Sequence, residues 1–138
     1  MLRKAEFRAI RELVGMTQAS LADALGVQER SVRRWESEDA PQLPPDEAWQ
    51  LLWSAEERQG QVIDFALRKV DESGAELVRL PYWASQRDYS EHSTDAAHGI
   101  EGDYRMANAN ARALATILAG EGIKVEFVDG KENPALPS

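Results

Sequence analysis

Cysteine is absent from this chain of 138 residues, which excludes disulfides, thiolate zinc sites and cysteine nucleophiles. Histidine is nearly absent, with only His92 and His98. There is no HExxH pattern and no glycine loop able to cradle a phosphate. No apolar run approaches the roughly 18 residues that a membrane-spanning helix needs, so no membrane partner is expected. The first residues, Met1-Leu2-Arg3-Lys4-Ala5-Glu6, lack the apolar stretch of a secretory signal, and a cytoplasmic location is expected. Repeats and low-complexity segments are also missing. What remains is 43% hydrophobic and 29% charged, the composition of a soluble globular protein. The length suits one ordinary domain or two very small ones.

The net charge of −8 argues against a nucleic-acid partner if it is averaged over the chain, but the charge is unevenly placed. Residues 1–35 hold seven basic side chains (Arg3, Lys4, Arg8, Arg11, Arg30, Arg33, Arg34) against Glu6, Glu12, Asp23 and Glu29, a net of +3. The other nine basic and twenty acidic side chains lie beyond residue 35, a net of −11. DNA feels a local field, because charges are screened over about 8 Å at physiological salt. A basic reading face is therefore compatible with an acidic remainder, which should also weaken non-specific binding.

Hydrophobic spacing predicts helices through the first half. Phe7, Ile10, Leu13 and Val14 form one apolar face that ends at Gly15. Thr17 stands at the N-cap of a second helix running to Leu25, and Gly26 interrupts it. A third segment runs from Gln28 to Glu36, with Val32 and Trp35 facing inward. After a proline-containing acidic loop, Pro44-Pro45-Asp46-Glu47 starts a long helix expected over 45–73, with a bend allowed at Gly60. Ala75 to Leu80 reads as a strand ending at Pro81, and 82–102 as irregular with at most one helical turn. Asp103 caps a helix over Tyr104–Ala119, and Ile123–Val128 alternates as a second strand. The predicted fold class is mainly α with a small C-terminal α+β unit. Its expected parts are a helix-turn-helix bundle with its long fourth helix (1–73), a strand-helix-strand dimerisation unit (74–130) and a flexible tail (131–138).

The stretch Gln18–Glu36 carries the function. Two short helices crossing steeply need a small residue at the crossing, a turn residue that tolerates positive φ, and an apolar plug from the second helix. Ala22, Gly26 and Val32 supply these in order, with Leu21, Leu25 and Trp35 completing the core. An ordinary helical hairpin could share that spacing. With Val32 and Trp35 inward, however, Glu29, Arg30, Arg33 and Arg34 turn outward together, and three arginines on one short face favour DNA.

These residues resemble the Cro/C1-type (XRE-like) helix-turn-helix regulators, whose fold is lambda-repressor-like. Met16-Thr17-Gln18-Ala19-Ser20-Leu21-Ala22-Asp23-Ala24-Leu25-Gly26-Val27 is similar to that family's signature, and Ser31-Val32-Arg33-Arg34-Trp35-Glu36 to its continuation with one residue fewer. The family's Asn/Ser-Gly turn is replaced by Ser37-Glu38-Asp39-Ala40 in a longer loop, so that turn's phosphate contacts are not carried over. The resemblance implies that Gln18 approaches a phosphate and that Glu29, Arg30 and Arg34 reach base edges. Arginine can bond guanine bidentately and glutamate can accept from cytosine. Arg33 suits a phosphate, with Arg8 and Arg11 as additions, and Gln28 and Ser31 are further candidate contacts.

One such module reads too few base pairs for genomic specificity, so a homodimer on an inverted-repeat operator is expected. Two short strands make a poor sheet alone, and Trp53, Leu77, Ile123, Val125 and Phe127 are the candidate interface residues. The layout also resembles small phage and bacterial regulators, the YdiL-like proteins and anti-CRISPR-associated repressors, in Leu77-Val78-Arg79-Leu80-Pro81-Tyr82 and Asp103-Tyr104-Arg105. That likeness implies autorepression of a small operon. The alternative is an antitoxin, whose acidic distal half masks a basic cognate toxin. A metal-dependent enzyme is the weakest reading. His92, Asp95 and His98, or Ser90, Ser93 and Tyr89 as nucleophiles, lie in a polar loop where exposed bystanders are the commoner case. No catalytic residue, metal site or cofactor is assigned.

Overall fold

The computed structural model describes residues 3–138 and contains seven helices and two strands. The chain divides into two compact units, 1–58 and 59–138. The division falls between Arg58 and Gln59, inside the long helix and not at its end.

In the first unit, α1 (Lys4–Leu13), α2 (Gln18–Leu25), α3 (Glu29–Glu36) and the opening turns of α4 (Asp46–Ser73) surround one core. Phe7, Ile10, Val14, Leu21, Val32, Trp35, Trp49 and Leu52 are buried in it. Phe7 meets Trp35 and Trp49 edge-on, with ring centroids 6.3 and 5.1 Å apart, one of the arrangements that ring quadrupoles favour. Pro45 fits the start of α4, because its missing N–H would have no helical partner there, and its carbonyl accepts from Ala48 N–H at 3.0 Å. The helix runs without interruption through Gly60.

In the second unit, the rest of α4 turns Val62 toward a core shared with Leu80, Ala111, Leu114, Leu118 and Leu136. The strands β1 (Leu77–Tyr82) and β2 (Lys124–Asp129) pair in parallel, with Val78 opposite Val125 and Leu80 opposite Phe127. Between them come α5 (Gln86–His92), α6 (Thr94–Ala97) and α7 (Tyr104–Gly120). Asp103 caps α7 by accepting from Arg105 N–H at 2.7 Å.

Three expectations are corrected. β1 does not stop before Pro81 but continues to Tyr82, because Pro81 turns its absent N–H away from β2, where an edge strand needs none. The segment 82–102 holds two short helices, each capped by a serine. Ser85 Oγ accepts from Asp88 N–H at 3.1 Å, and Ser93 Oγ accepts from Ala96 N–H at 3.0 Å. Residues 131–138 are packed down and not a loose tail. Leu136 is buried in the core, Thr94 donates to Pro134 O, and Asn110 Nδ2 donates to Pro137 O at 3.1 Å. An isolated Leu between prolines gives no periodic signal, yet it closes the floor of the second core.

Candidate nucleic-acid interface

The crossing of α2 and α3 is set by local chemistry. Thr17 and Ser20 cap the start of α2 reciprocally, each side-chain oxygen accepting the other's backbone N–H at 2.9 Å. At its end Gly26 takes φ +68°, a left-handed conformation that disfavours any side chain. Val27 N–H then reaches back to Ala22 O at 3.0 Å, so the chain turns within two residues. Ala22 is almost wholly buried and Val32 is fully buried, as the sequence spacing requires of a crossing residue and a plug.

The same rotation of α3 decides which side chains are free. Val32 and Trp35 face the core, and Gln28, Glu29, Arg30, Arg33 and Arg34 are exposed, with Ser31 half-buried at the edge. Gln28 makes no side-chain cap for α3 and stands exposed at the positive end of its dipole. Arg33 lies 3.4 Å from Glu29 in an exposed pair one turn away. Arg30 and Arg34 have no carboxylate within ion-pair distance among the described residues. Arg8 is occupied by Glu12 at 2.9 Å, a hydrogen bond that holds the Glu12 carboxyl below the usual carboxylate range.

Two basic residues counted toward the reading face lie inside the unit. Arg11 is buried and forks onto Glu36, with Nε to Oε2 at 2.6 Å and Nη2 to Oε1 at 2.8 Å, while Nη1 donates to Met16 O at 2.9 Å. It is therefore a structural ion pair and not a phosphate contact. Lys4 Nζ is also buried and donates to the carbonyls of Arg34 (2.9 Å), Ser37 (2.7 Å) and Ala40 (2.7 Å). A cation there satisfies acceptors at the negative end of α3 and ties down the long loop that replaces the usual turn. Gln18 is half-buried at the N-terminus of α2, its Nε2 donating to Glu36 Oε1 at 3.1 Å. Glu36 thus joins α1, α2 and α3. Its signal in the sequence is its place beside the core residue Trp35 at the end of a helix, where a carboxylate needs a cation if it is to be buried.

The candidate interface residues of the distal half are scattered. Trp53 belongs to the first unit, exposed but with its ring tilted 33° against that of Trp49, centroids 5.6 Å apart. Leu77 and Phe127 are exposed on the strands, and Ile123 and Val125 are half-buried against the second core. The imagined metal ligands are already engaged. Asp95 is buried and accepts from Tyr89 Oη and from Ser138 N–H at 3.1 Å, while His98 Nδ1 lies 2.8 Å from Thr94 O. No helix among the described residues is long and apolar enough to cross a membrane.

Comparison with known proteins agrees with this geometry. A helix-turn-helix family model matches residues 7–52, from the first core phenylalanine to the last core leucine of the first unit. None of the curated proteins compared matches the chain. The matched family comprises DNA-binding regulatory domains and is not a family of enzymes. Residues 7–52 are therefore a helix-turn-helix domain of the Cro/C1 (XRE) type, the DNA-binding module of transcriptional regulators.

Proposed function

We propose that the chain is a cytoplasmic, sequence-specific repressor that binds an inverted-repeat operator as a homodimer and represses its own operon. The observation that carries this reading is the sorting of basic side chains around α3. Lys4 and Arg11 are consumed inside the unit, and Arg8 and Arg33 are paired on its surface. Of the rest, Arg3 precedes α1, and Arg30 and Arg34 stand one turn apart on the exposed face of α3 with no carboxylate in ion-pair reach among the described residues. Two unpaired guanidinium groups on a helix narrow enough for the major groove suit bidentate bonds to guanine O6 and N7. Arg33, already turned toward Glu29, suits a phosphate, and Glu29 can accept from a cytosine amino group once that pair opens. Gln28 and Ser31 flank the base-reading edge. Gln18 is placed to offer its remaining amide hydrogen to a phosphate while Glu36 holds the other.

A homodimer supplies the second half-site about 34 Å away along the duplex. Selection of bound duplexes from a random pool by the full chain tests the reading. A two-fold symmetric motif with both halves on one face of the helix is the expected product. A failure to retain any duplex even at low salt, where phosphate contacts are strongest, overturns it.

A further inference from the structure

The two edges of the small sheet are not alike. Lys124 N–H donates to Glu76 O at 3.0 Å and Gly130 N–H donates to Tyr82 O at 3.3 Å. In a parallel ladder these two bonds fix the alternation: even-numbered residues of both strands turn their backbone groups toward the neighbour, odd-numbered residues away. Along the outer side of β1, Arg79 O accepts from Asn133 Nδ2 at 2.7 Å and Pro81 has no N–H to offer. That edge is closed by the devices that keep sheets from associating. Along the outer side of β2, Val125 and Phe127 present complete N–H and C=O pairs, and no hydrogen bond from outside the sheet reaches them among the described residues.

The side chains beside the open edge suit a second strand. Phe127 is half-exposed, Ile123 and Val125 lie beside it, and Ala115, Thr116 and Ala119 of α7 line the shallow groove alongside. On the opposite face the charges alternate, Lys124 and then Glu126. Two copies of β2 related by a two-fold axis must run antiparallel and oppose residues of the same face. Registers centred on Val125, Glu126, Phe127 or Val128 then oppose three or more residues of the strand, and the one centred on Val128 sets Phe127 against the partner's Asp129. A register centred on Glu126 sets two carboxylates against each other. One centred on Phe127 sets Val125 against the partner's Asp129. A register centred on Val125 sets Val125 against the partner's Val125, Ile123 against the partner's Phe127 twice, and Lys124 against the partner's Glu126 twice. Over positions 123–127 the last alone matches apolar with apolar and cation with anion; beyond them Asp129 falls level with the partner's Glu121, outside β2.

We propose that β2 pairs antiparallel with the β2 of a second copy in the register centred on Val125, joining two two-stranded sheets into one of four strands. This assignment rests on the homodimer reading above and names the surface that forms it. It uses Ile123, Val125 and Phe127 and does not require Trp53 or Leu77.

Light scattering of the full chain at tens of micromolar tests it, alongside thermal melts to verify folding. Lys124 is exposed and its ion pair with Glu126 of the same strand, at 3.9 Å, is also exposed, so charge reversal there costs the fold little. Lys124→Glu and Glu126→Lys should each weaken self-association by about tenfold, because each sets like charges opposite one another at two places. An equimolar mixture of the two variants should regain the dimer mass. In the chain's cysteine-free background, Val125→Cys should oxidise to a covalent dimer and Phe127→Cys should not. A monomeric wild-type protein overturns the homodimer reading itself. A wild-type dimer indifferent to Lys124→Glu, a mixture that stays apart, or cross-linking through position 127 and not 125 overturns this register and leaves the homodimer standing.

Discussion

In the first unit three buried charges, Lys4, Arg11 and Glu36, converge on α3. In the second, three buried polar side chains, Asp95, Asn108 and Asn110, bind chain outside regular structure. Asn108 takes both backbone groups of Trp83, accepting from its N–H at 2.7 Å and donating to its carbonyl at 2.9 Å. Asn110 and Asp95 hold Pro137 and Ser138. The contrast shows two uses of costly buried polarity. In one unit it fixes a helix from behind, so that the helix's outer charges have no structural task. In the other it fastens irregular segments over a small apolar core that could not order them by burial alone.

The comparison can be broken at each unit separately. The largest effect is expected from Arg11→Ala, which strands Glu36 in the interior and should cost the first unit about 3–5 kcal/mol. Urea unfolding followed through Trp35 and Trp49 would register it, and a loss under about 1 kcal/mol would contradict a buried pair. Next comes Leu136→Ala, expected to destabilise the second unit by about 2–4 kcal/mol through the cavity it opens. A frayed tail would make the same substitution silent.

Alkali should separate the units. Burial, reinforced by the hydrogen bond to Asp95, pushes the Tyr89 phenol up to about 12. In the unfolded chain the phenol titrates near 10, so above that pH the unfolded state releases a proton that the folded state keeps. The contribution is complete below pH 10 and is lost as pH rises toward 12, about 2–3 kcal/mol in all. Tyr89→Phe should flatten that slope in the second unit and leave the first unchanged, as denaturation midpoints at pH 9 and 11 would show.

How much of this was legible in the sequence follows the range of the interactions. Ala22, Gly26 and Val32 act on neighbours within one turn or one crossing, and all three stand where the spacing places them. The burial of Lys4 and Arg11 depends on α3 and the loop after it, acceptors 25 to 36 positions away, and no local pattern announces it. Counting them as surface charge made the first unit look more basic than its exterior is. The serine caps at Ser85 and Ser93 were visible as Ser-x-x-Asp and Ser-x-Asp patterns in a stretch too polar to show a core-facing period. The closed edge of β1 was half-visible in Pro81, but Asn133 reaches it across 54 positions.

Binding profiles of single-base operator variants test the central claim most directly, with Arg34→Ala and Arg33→Ala measured beside the wild type at fixed salt. Arg34→Ala is expected to abolish preference at one position of each half-site, about 1–3 kcal/mol of discrimination. Arg33→Ala should weaken every duplex alike and lower the salt dependence by about one charge. Equal flattening by both substitutions, or unchanged selectivity without Arg34, would contradict α3 as the reading helix.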